Sequence, residues 1–454
     1  MRTKYLIIGA GPTGLGAGWR LTELGEKDFL ILERSAHVGG LSASFKDNAG
    51  FTWDVGGHVV FSHYEYFDRL LDSLLGSEYL EHQREAWIRI AGTWVPYPFQ
   101  NNIRYLPAKE RWRCVQGLLR ARDAVHEGKP AHFREWIGRV FGDGIAEQFM
   151  LPYNFKVWAT RLERMAYGWI GERVSVIDLE RVLKNLVLEL DDVSWGPNNA
   201  FKFPLYGGTG EIFRRLGKRL GEHILIGQEV IRLDPVHKVA TIRGGETITY
   251  EAVLNTGPLD RLVLDQVASP PDAVIRAAGE LTHNGVWIAG VGVRGFVPDS
   301  KCWMYFPESN CPFYRVTNFH NYSPKNVPHQ DKDDRYRSFM AEVSFSRDKE
   351  EELDALMDRT VEGLVAAGLM APEERESVVS RWERRVDYGY PVPCLARDKA
   401  LATIQPWLEA QAVYSRGRFG GWKYEVGNMD HSVMQGVEWA DFMVRGQAEK
   451  TYGY

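Results

Sequence analysis

Tyr5-Leu-Ile-Ile8-Gly9-Ala-Gly11-Pro-Thr-Gly14, followed by Phe29-Leu-Ile-Leu32-Glu33, is the stretch that decides the fold. Residues 5–8 are a short apolar run of strand formers. A glycine-rich turn follows at once, then an Ala/Leu/Trp pattern of helical spacing as far as Leu24. The second apolar run ends in an acid. Strand, glycine turn, helix, strand and acidic residue, in that order, make a dinucleotide-binding βαβ unit. Gly9 is expected to form the tight turn, Gly11 to let the backbone approach a pyrophosphate, and Gly14 to let helix and strand pack closely. The helix N-terminus offers free N–H groups and a partial positive charge to that pyrophosphate. Glu33 falls about 20 residues past the glycines, where a carboxylate can accept ribose hydroxyls.

Just beyond the acid comes Arg34-Ser-Ala-His-Val-Gly39-Gly40-Leu41. This second glycine pair resembles that of FAD-binding oxidoreductases of the amine-oxidase type, in which backbone passes close to the bound flavin nucleotide. Near the other end, Gly427-Asn428-Met429-Asp430-His431-Ser432 leads into an amphipathic helix, Val433 to Arg445. In such folds that helix N-terminus points at the flavin pyrimidine ring, although a plain C-terminal helix would have the same pattern.

The 454 residues suffice for about three domains of ~150 residues. Lys+Arg number 55 against Asp+Glu 60, a formal net charge of −5, so no general field draws nucleic acid or an anionic membrane. Anion binding must come from a few placed residues. Aromatic content is 12%, and many Tyr and Trp fall in polar, Gly/Pro-rich stretches, as expected of a ligand groove. No apolar run is long enough for a membrane span or a signal-peptide core. Cys114, Cys302, Cys311 and Cys394 are scattered, without metal-ligand spacing. They are expected to be reduced thiols of a cytoplasmic protein, and no metal is indicated.

Arg111 to His126, Phe133 to Met150 and Leu179 to Leu190 have helical spacing; Val286 to Val293, Trp303 to Phe306 and Phe339 to Phe345 have the pattern of strands. The expected organisation is α/β: an FAD-binding Rossmann-like domain in three segments, 1–80, 201–260 and 386–454. A mainly helical domain, 81–200, and an antiparallel sheet domain for the substrate, 261–385, are inserted into it. His329 to Arg337 is expected to be an exposed loop.

Three constellations carry the chemistry. In Gly56-Gly57-His58-Val-Val-Phe-Ser-His63 the histidines could serve as acid and base or could simply be packed. Tyr97-Pro-Phe-Gln100-Asn-Asn102 and Pro152-Tyr-Asn154-Phe-Lys-Val-Trp158 mix aromatics with carboxamides, a set that suits a nucleobase but also a capped surface loop. Tyr314-Arg315 and Tyr414-Ser-Arg416-Gly-Arg418, with Trp422 and Tyr424, place arginines among tyrosines. Arg is the residue of choice for bidentate diphosphate recognition.

These blocks, together with Gly171-Glu-Arg173-Val174, Trp195-Gly-Pro-Asn198 and Cys311-Pro-Phe-Tyr-Arg315, resemble the eukaryotic-type UDP-galactopyranose mutase family, in order and from the first strand to the final helix. The resemblance implies an isomerase, an intramolecular transferase, that interconverts UDP-galactopyranose and UDP-galactofuranose and so serves galactofuranose biosynthesis. The N5 atom of reduced FAD would act as nucleophile on the anomeric carbon with no net redox change, and NADPH would be the reductant. It implies that Arg315 and Arg418 grip the diphosphate while Tyr305, Tyr390 and Tyr424 donate hydroxyls. Tyr97, Gln100, Asn154 and Trp158 would line the uridine site. Arg173 and Asn198 would lie near sugar or flavin, and Tyr322 would join the substrate contacts. His58 would sit beside the flavin, with Gly57, Asn428 and Met429 also on the cofactor. Lys202 departs from the family, standing where an Arg is common. The oligomeric state and the exact sugar are left open. The competing reading is an FAD-dependent oxidoreductase of the amine-oxidase or protoporphyrinogen-oxidase type.

Overall fold

The computed structural model describes residues 1–193, 199–328 and 335–454. Asn198, the Trp195–Asn198 block and most of the expected loop at 329–337 therefore lie outside the described residues.

Tyr5–Ile8 is the centre of a five-stranded sheet, in the order Val413–Ser415, Ala252–Asn255, Tyr5–Ile8, Phe29–Glu33, Ile224–Ile226, and every pairing is parallel. Its central strands are buried on both faces, which is why they read as continuous apolar runs. Pro12–Glu23 and Met429–Arg445 pack together over one face as two helices in close contact. Gly436 allows this closeness, because a Cβ there would run into the backbone of Thr13 and Ala17.

The second large sheet has seven strands: Val378–Val392, Thr282–Arg294, Tyr336–Phe345, Arg315–Asn318, Trp303–Tyr305, Ala86–Ile90 and Thr93–Pro96. All neighbours are antiparallel except Trp303–Tyr305 beside Ala86–Ile90. This corrects the sequence expectation for 81–200, since residues 86–96 join the substrate sheet rather than the helical unit. The reason is local. Ala86, Ile88 and Ile90 are buried while Trp87 and Arg89 are less so, a period of two. Ala91 and Gly92 both take positive φ, the two-residue turn that matches strand twist in a tight hairpin.

The helices at Ala108–Asp123, Phe133–Ile145, Leu151–Trp158 and Leu179–Val187 build the remaining layer around a core that includes Phe99, Phe133, Phe141, Phe149 and Trp158. The four cysteines are free and buried. No helix among the described residues is long and apolar enough to cross a membrane.

Candidate active site

One cavity of about 720 Å³ runs from the glycine turn, past Val55–Val59, to the aromatic groove between the helical layer and the seven-stranded sheet. Both expected halves of the site open into it.

At the nucleotide end, Gly9 has φ +103°, which a side-chain-bearing residue rarely adopts. Gly14 is off the cavity wall. Its place in the helix brings it so close to the Gly9 carbonyl that any Cβ would collide with it. Gly11 is the reverse case: a Cβ there would meet nothing within 4 Å and would project into cavity space. The first helix begins at Pro12 with no side-chain cap, so its orphan N–H groups face that space. Glu33 accepts Ala10 N–H at 2.8 Å and Ser35 N–H at 2.8 Å, and a carboxylate has capacity beyond those two bonds. Gly40 lies on the wall, where a Cβ would crowd Gly11 Cα at 3.3 Å, whereas Gly39 turns the chain behind it and donates to Ala10 O. At the far end of this half, Asn428, Met429 and the uncapped start of the last helix reach the cavity. These features fit a dinucleotide: open space above Gly11, two helix N-termini and the Glu33 carboxylate on the wall.

Between the halves stands the loop Gly56–His58. Gly57 N–H donates to Glu342 Oε1 at 2.8 Å, and a Cβ at position 57 would lie 2.6 Å from Thr317 Oγ1. His58 faces the cavity, but its Nδ1 is sealed from solvent and has no partner among the described residues. Burial, with smaller contributions from Arg418 and Arg315, outweighs the attraction of Glu342 and pulls its imidazole down to about 4. His58 is therefore neutral at physiological pH and does not serve as a cationic acid in this state. Its neighbour in sequence, His63, instead joins Asp430 (2.6 Å) at the first turn of the last helix, beside His431.

The groove half holds two arginines in different electrostatic states. Arg418 is half-buried on the wall and donates to Gly427 O at 3.1 Å and Gly389 O at 3.4 Å. Its guanidinium lies over Tyr390 and Tyr424, 4.9 and 5.6 Å from the ring centroids. Among the described residues no carboxylate pairs with it, and desolvation pushes it below the usual arginine value. Arg315 sits opposite Glu342 in the strand register and is held by it through Nε (2.8 Å) and Nη2 (2.7 Å). Arg173 donates to Asn428 Oδ1 and Glu425 O, both at 2.7 Å, and so links the groove to the last helix.

Tyr97, Gln100, Asn154, Trp158, Tyr305, Tyr390 and Tyr424 all reach the cavity. Lys156 anchors the helix that carries Asn154 and Trp158, donating to Glu308 O and Cys311 O, and burial brings its ammonium down to about 8. Trp158 is 2% exposed and meets Trp169, Tyr390 and Tyr424 edge-on, so it backs the groove more than it offers a free stacking face. Gln100 donates to Ser175 O and Asn154 to Met150 O, leaving their carbonyl oxygens as acceptors.

Tyr322 is a correction. It follows the short turn Phe319–Asn321 and packs, fully buried, against Phe201, Phe203 and Phe319, away from the cavity wall. Glu342, Tyr314, Trp303 and Arg84, all on the wall, carry no separate site role in the sequence reading. For Tyr314 the signal was present, since it directly precedes Arg315. Glu342 carries no local signal, because only the pairing of two distant strands brings it to Arg315.

The sequence profile of the flavin containing amine oxidoreductases matches residues 12–441. A crystal structure of reduced UDP-galactopyranose mutase superposes with a TM-score of 0.95 at 43% identity, covering 99% of this chain and 97% of that one. A protoporphyrinogen oxidase candidate from Exiguobacterium sp. 255-15 has a TM-score of 0.72 at 16% identity, covering 98% and 99%, a likeness of fold alone. Amine oxidase [flavin-containing] A of Canis lupus familiaris is 23% identical over 237 residues, 50% of this chain and 44% of that protein. The chain spans less than half the length of the curated relatives it matches.

Proposed function

The chain belongs to the flavin containing amine oxidoreductases and, within them, to the UDP-galactopyranose mutases, and from that premise we propose that it interconverts UDP-galactopyranose and UDP-galactofuranose without net redox change. The observation that carries this reading is the single cavity. It joins an open dinucleotide turn to Arg418, a desolvated guanidinium that no described carboxylate neutralises. An amine oxidase has no use for such a cation, whereas a nucleotide diphosphate requires one.

FAD fits the nucleotide half, where Gly11, Glu33, Gly40 and the starts of the first and last helices would hold it. Bound and reduced, the flavin would supply a nucleophilic nitrogen for attack on the sugar. The remaining work belongs to the protein. Arg418 and the free Nη1 of Arg315 grip the diphosphate, whose charge grows when the sugar leaves it. Holding that leaving group in place makes its return effectively intramolecular. Burial raises Tyr305 and Tyr390 above the usual phenol range, so both remain hydrogen-bond donors to an anion. Tyr97 and the Trp158-backed wall exclude water from the sugar while it is detached. His58 stays neutral and adds no charge where the two halves of the cavity meet. We propose NADPH as the reductant, and anaerobic flavin bleaching by NADPH, faster than by NADH, is its test.

The substrate assignment is tested by product analysis of the dithionite-reduced protein across a small panel of nucleotide sugars. UDP-galactopyranose and UDP-galactofuranose should interconvert faster than any other pair. Conversion of none of the panel would remove the assignment.

A further inference from the structure

Glu342 is the most fully engaged carboxylate in the cavity wall and has no place in the mechanism above. It is 2% exposed, yet all four of its acceptor positions are filled. Oε1 accepts Gly57 N–H and Arg315 Nε, both at 2.8 Å. Oε2 accepts Tyr314 O–H at 2.5 Å and Arg315 Nη2 at 2.7 Å. Burial alone would raise its carboxyl, but the charge and hydrogen bonds of Arg315 outweigh burial and hold it below the usual carboxylate range. The group is therefore a permanent anion placed inside an anion-binding site. Arg315 keeps only Nη1 without a partner among the described residues, and its face lies 5.0 Å from the centroid of Trp303. Arg418, on the same cavity wall, has no carboxylate partner among the described residues.

We propose that Glu342 is the internal counter-anion of the diphosphate site, a positioning residue that binds Arg315 and the Gly56–His58 loop through one carboxylate, so that an incoming diphosphate must share Arg315 with it. Two consequences follow. The site discriminates by charge, because a ligand must be anionic enough to draw Arg315 partly away from a partner already 2.7 Å distant. The Gly56–His58 loop and the grip on the leaving group are also mechanically joined, since any shift of the carboxylate toward or away from Arg315 is felt at Gly57 N–H. Position 57 is glycine for the same reason: a Cβ would press on Thr317 Oγ1 at 2.6 Å and crowd Glu342 Oε1 at 3.3 Å.

The proposal rests on the diphosphate reading of the cavity, and one titration separates the two. UDP is titrated into the oxidised, FAD-loaded wild type and Glu342→Gln by calorimetry at low salt, with thermal melts alongside. Gln keeps an acceptor for Gly57 N–H and loses the charge. Release of Arg315 should tighten UDP about tenfold or more, a direction that mere structural damage does not produce. If the wild type binds UDP and a folded Glu342→Gln binds it equally or more weakly, the counter-anion role is refuted and the mutase reading stands. If the wild type binds no UDP, the diphosphate reading and this proposal fall together. Should Glu342→Gln not fold, Arg315→Met and Arg315→Met/Glu342→Gln serve instead, because removing both partners of a buried pair is better tolerated than removing one. The double variant should bind UDP more tightly than Arg315→Met, and equal or weaker binding refutes the proposal.

Discussion

Replacing Arg418 with Met separates binding from stability in a way the geometry makes quantitative. Among the described residues the guanidinium has one sound hydrogen bond, to Gly427 O, one long one, to Gly389 O, and two tyrosine faces. A hydrogen bond to a charged group contributes roughly 1.5–3 kcal/mol and an exposed to half-desolvated cation–π contact roughly 0.5–2 kcal/mol. Against these stands a desolvation penalty of several kcal/mol per ion. The two sides nearly cancel, so Arg418→Met should change unfolding free energy by no more than about 1 kcal/mol, a shift of a few degrees in Tm. With a diphosphate present the account changes sign. Truncating one member of a desolvated, hydrogen-bonded charge pair costs about 2–5 kcal/mol, a loss in UDP affinity of about 30-fold to about 5,000-fold. Calorimetric titration with UDP and a thermal melt of the same preparation measure both quantities. A variant that binds UDP within about threefold of wild type, or ~0.7 kcal/mol, would refute the assignment of Arg418 to the diphosphate.

Three further outcomes follow from the same geometry. Gly11→Ala should fold with a native Tm yet lose flavin on gel filtration, because its Cβ enters only cavity space, whereas Gly14→Ala should fail to accumulate as folded protein; full flavin occupancy in Gly11→Ala would count against the pyrophosphate site. Trp158→Ala should cost about 3–5 kcal/mol of stability and raise KM more than it lowers kcat, while Trp158→Phe retains most of both; an unchanged KM in steady-state assays of the folded protein would remove Trp158 from the groove. The imidazole of His58 titrates near 4 in the fold and near 6.5 in the unfolded chain, so its contribution is complete above about pH 6.5 and is lost as the pH falls toward 4, on the order of 3 kcal/mol. Denaturant melts of His58→Asn should accordingly show a shallower loss of stability between neutral and acid pH, and parallel curves would sink the assignment.

The nucleotide half was legible because its determinants are local. Gly9, Gly11, Gly14 and Glu33 lie within 25 residues, and each has a steric or charge requirement that no distant element alters. The final helix was legible for the same reason, although it starts at Met429 rather than Val433. The groove was legible through family resemblance and could not be assembled from spacing. Arg315 and Glu342 are 27 residues apart and meet only through antiparallel register. Tyr322 shows the limit of that resemblance: it was expected among the substrate contacts, but the turn at Phe319–Asn321 sends it into a phenylalanine core. The hairpin at 86–96 was lost inside a helix-rich segment, although its period of two and its Ala91-Gly92 turn were both present.

The central claim is isomerisation without oxidation, and anaerobic turnover of the reduced protein tests it most directly. UDP-galactofuranose is added to dithionite-reduced protein under argon while the flavin spectrum is recorded and products are separated. The account predicts many molecules of UDP-galactopyranose per flavin, with the flavin still reduced at the end. No product under argon, but oxygen consumption by the oxidised protein with the same substrate, would contradict it.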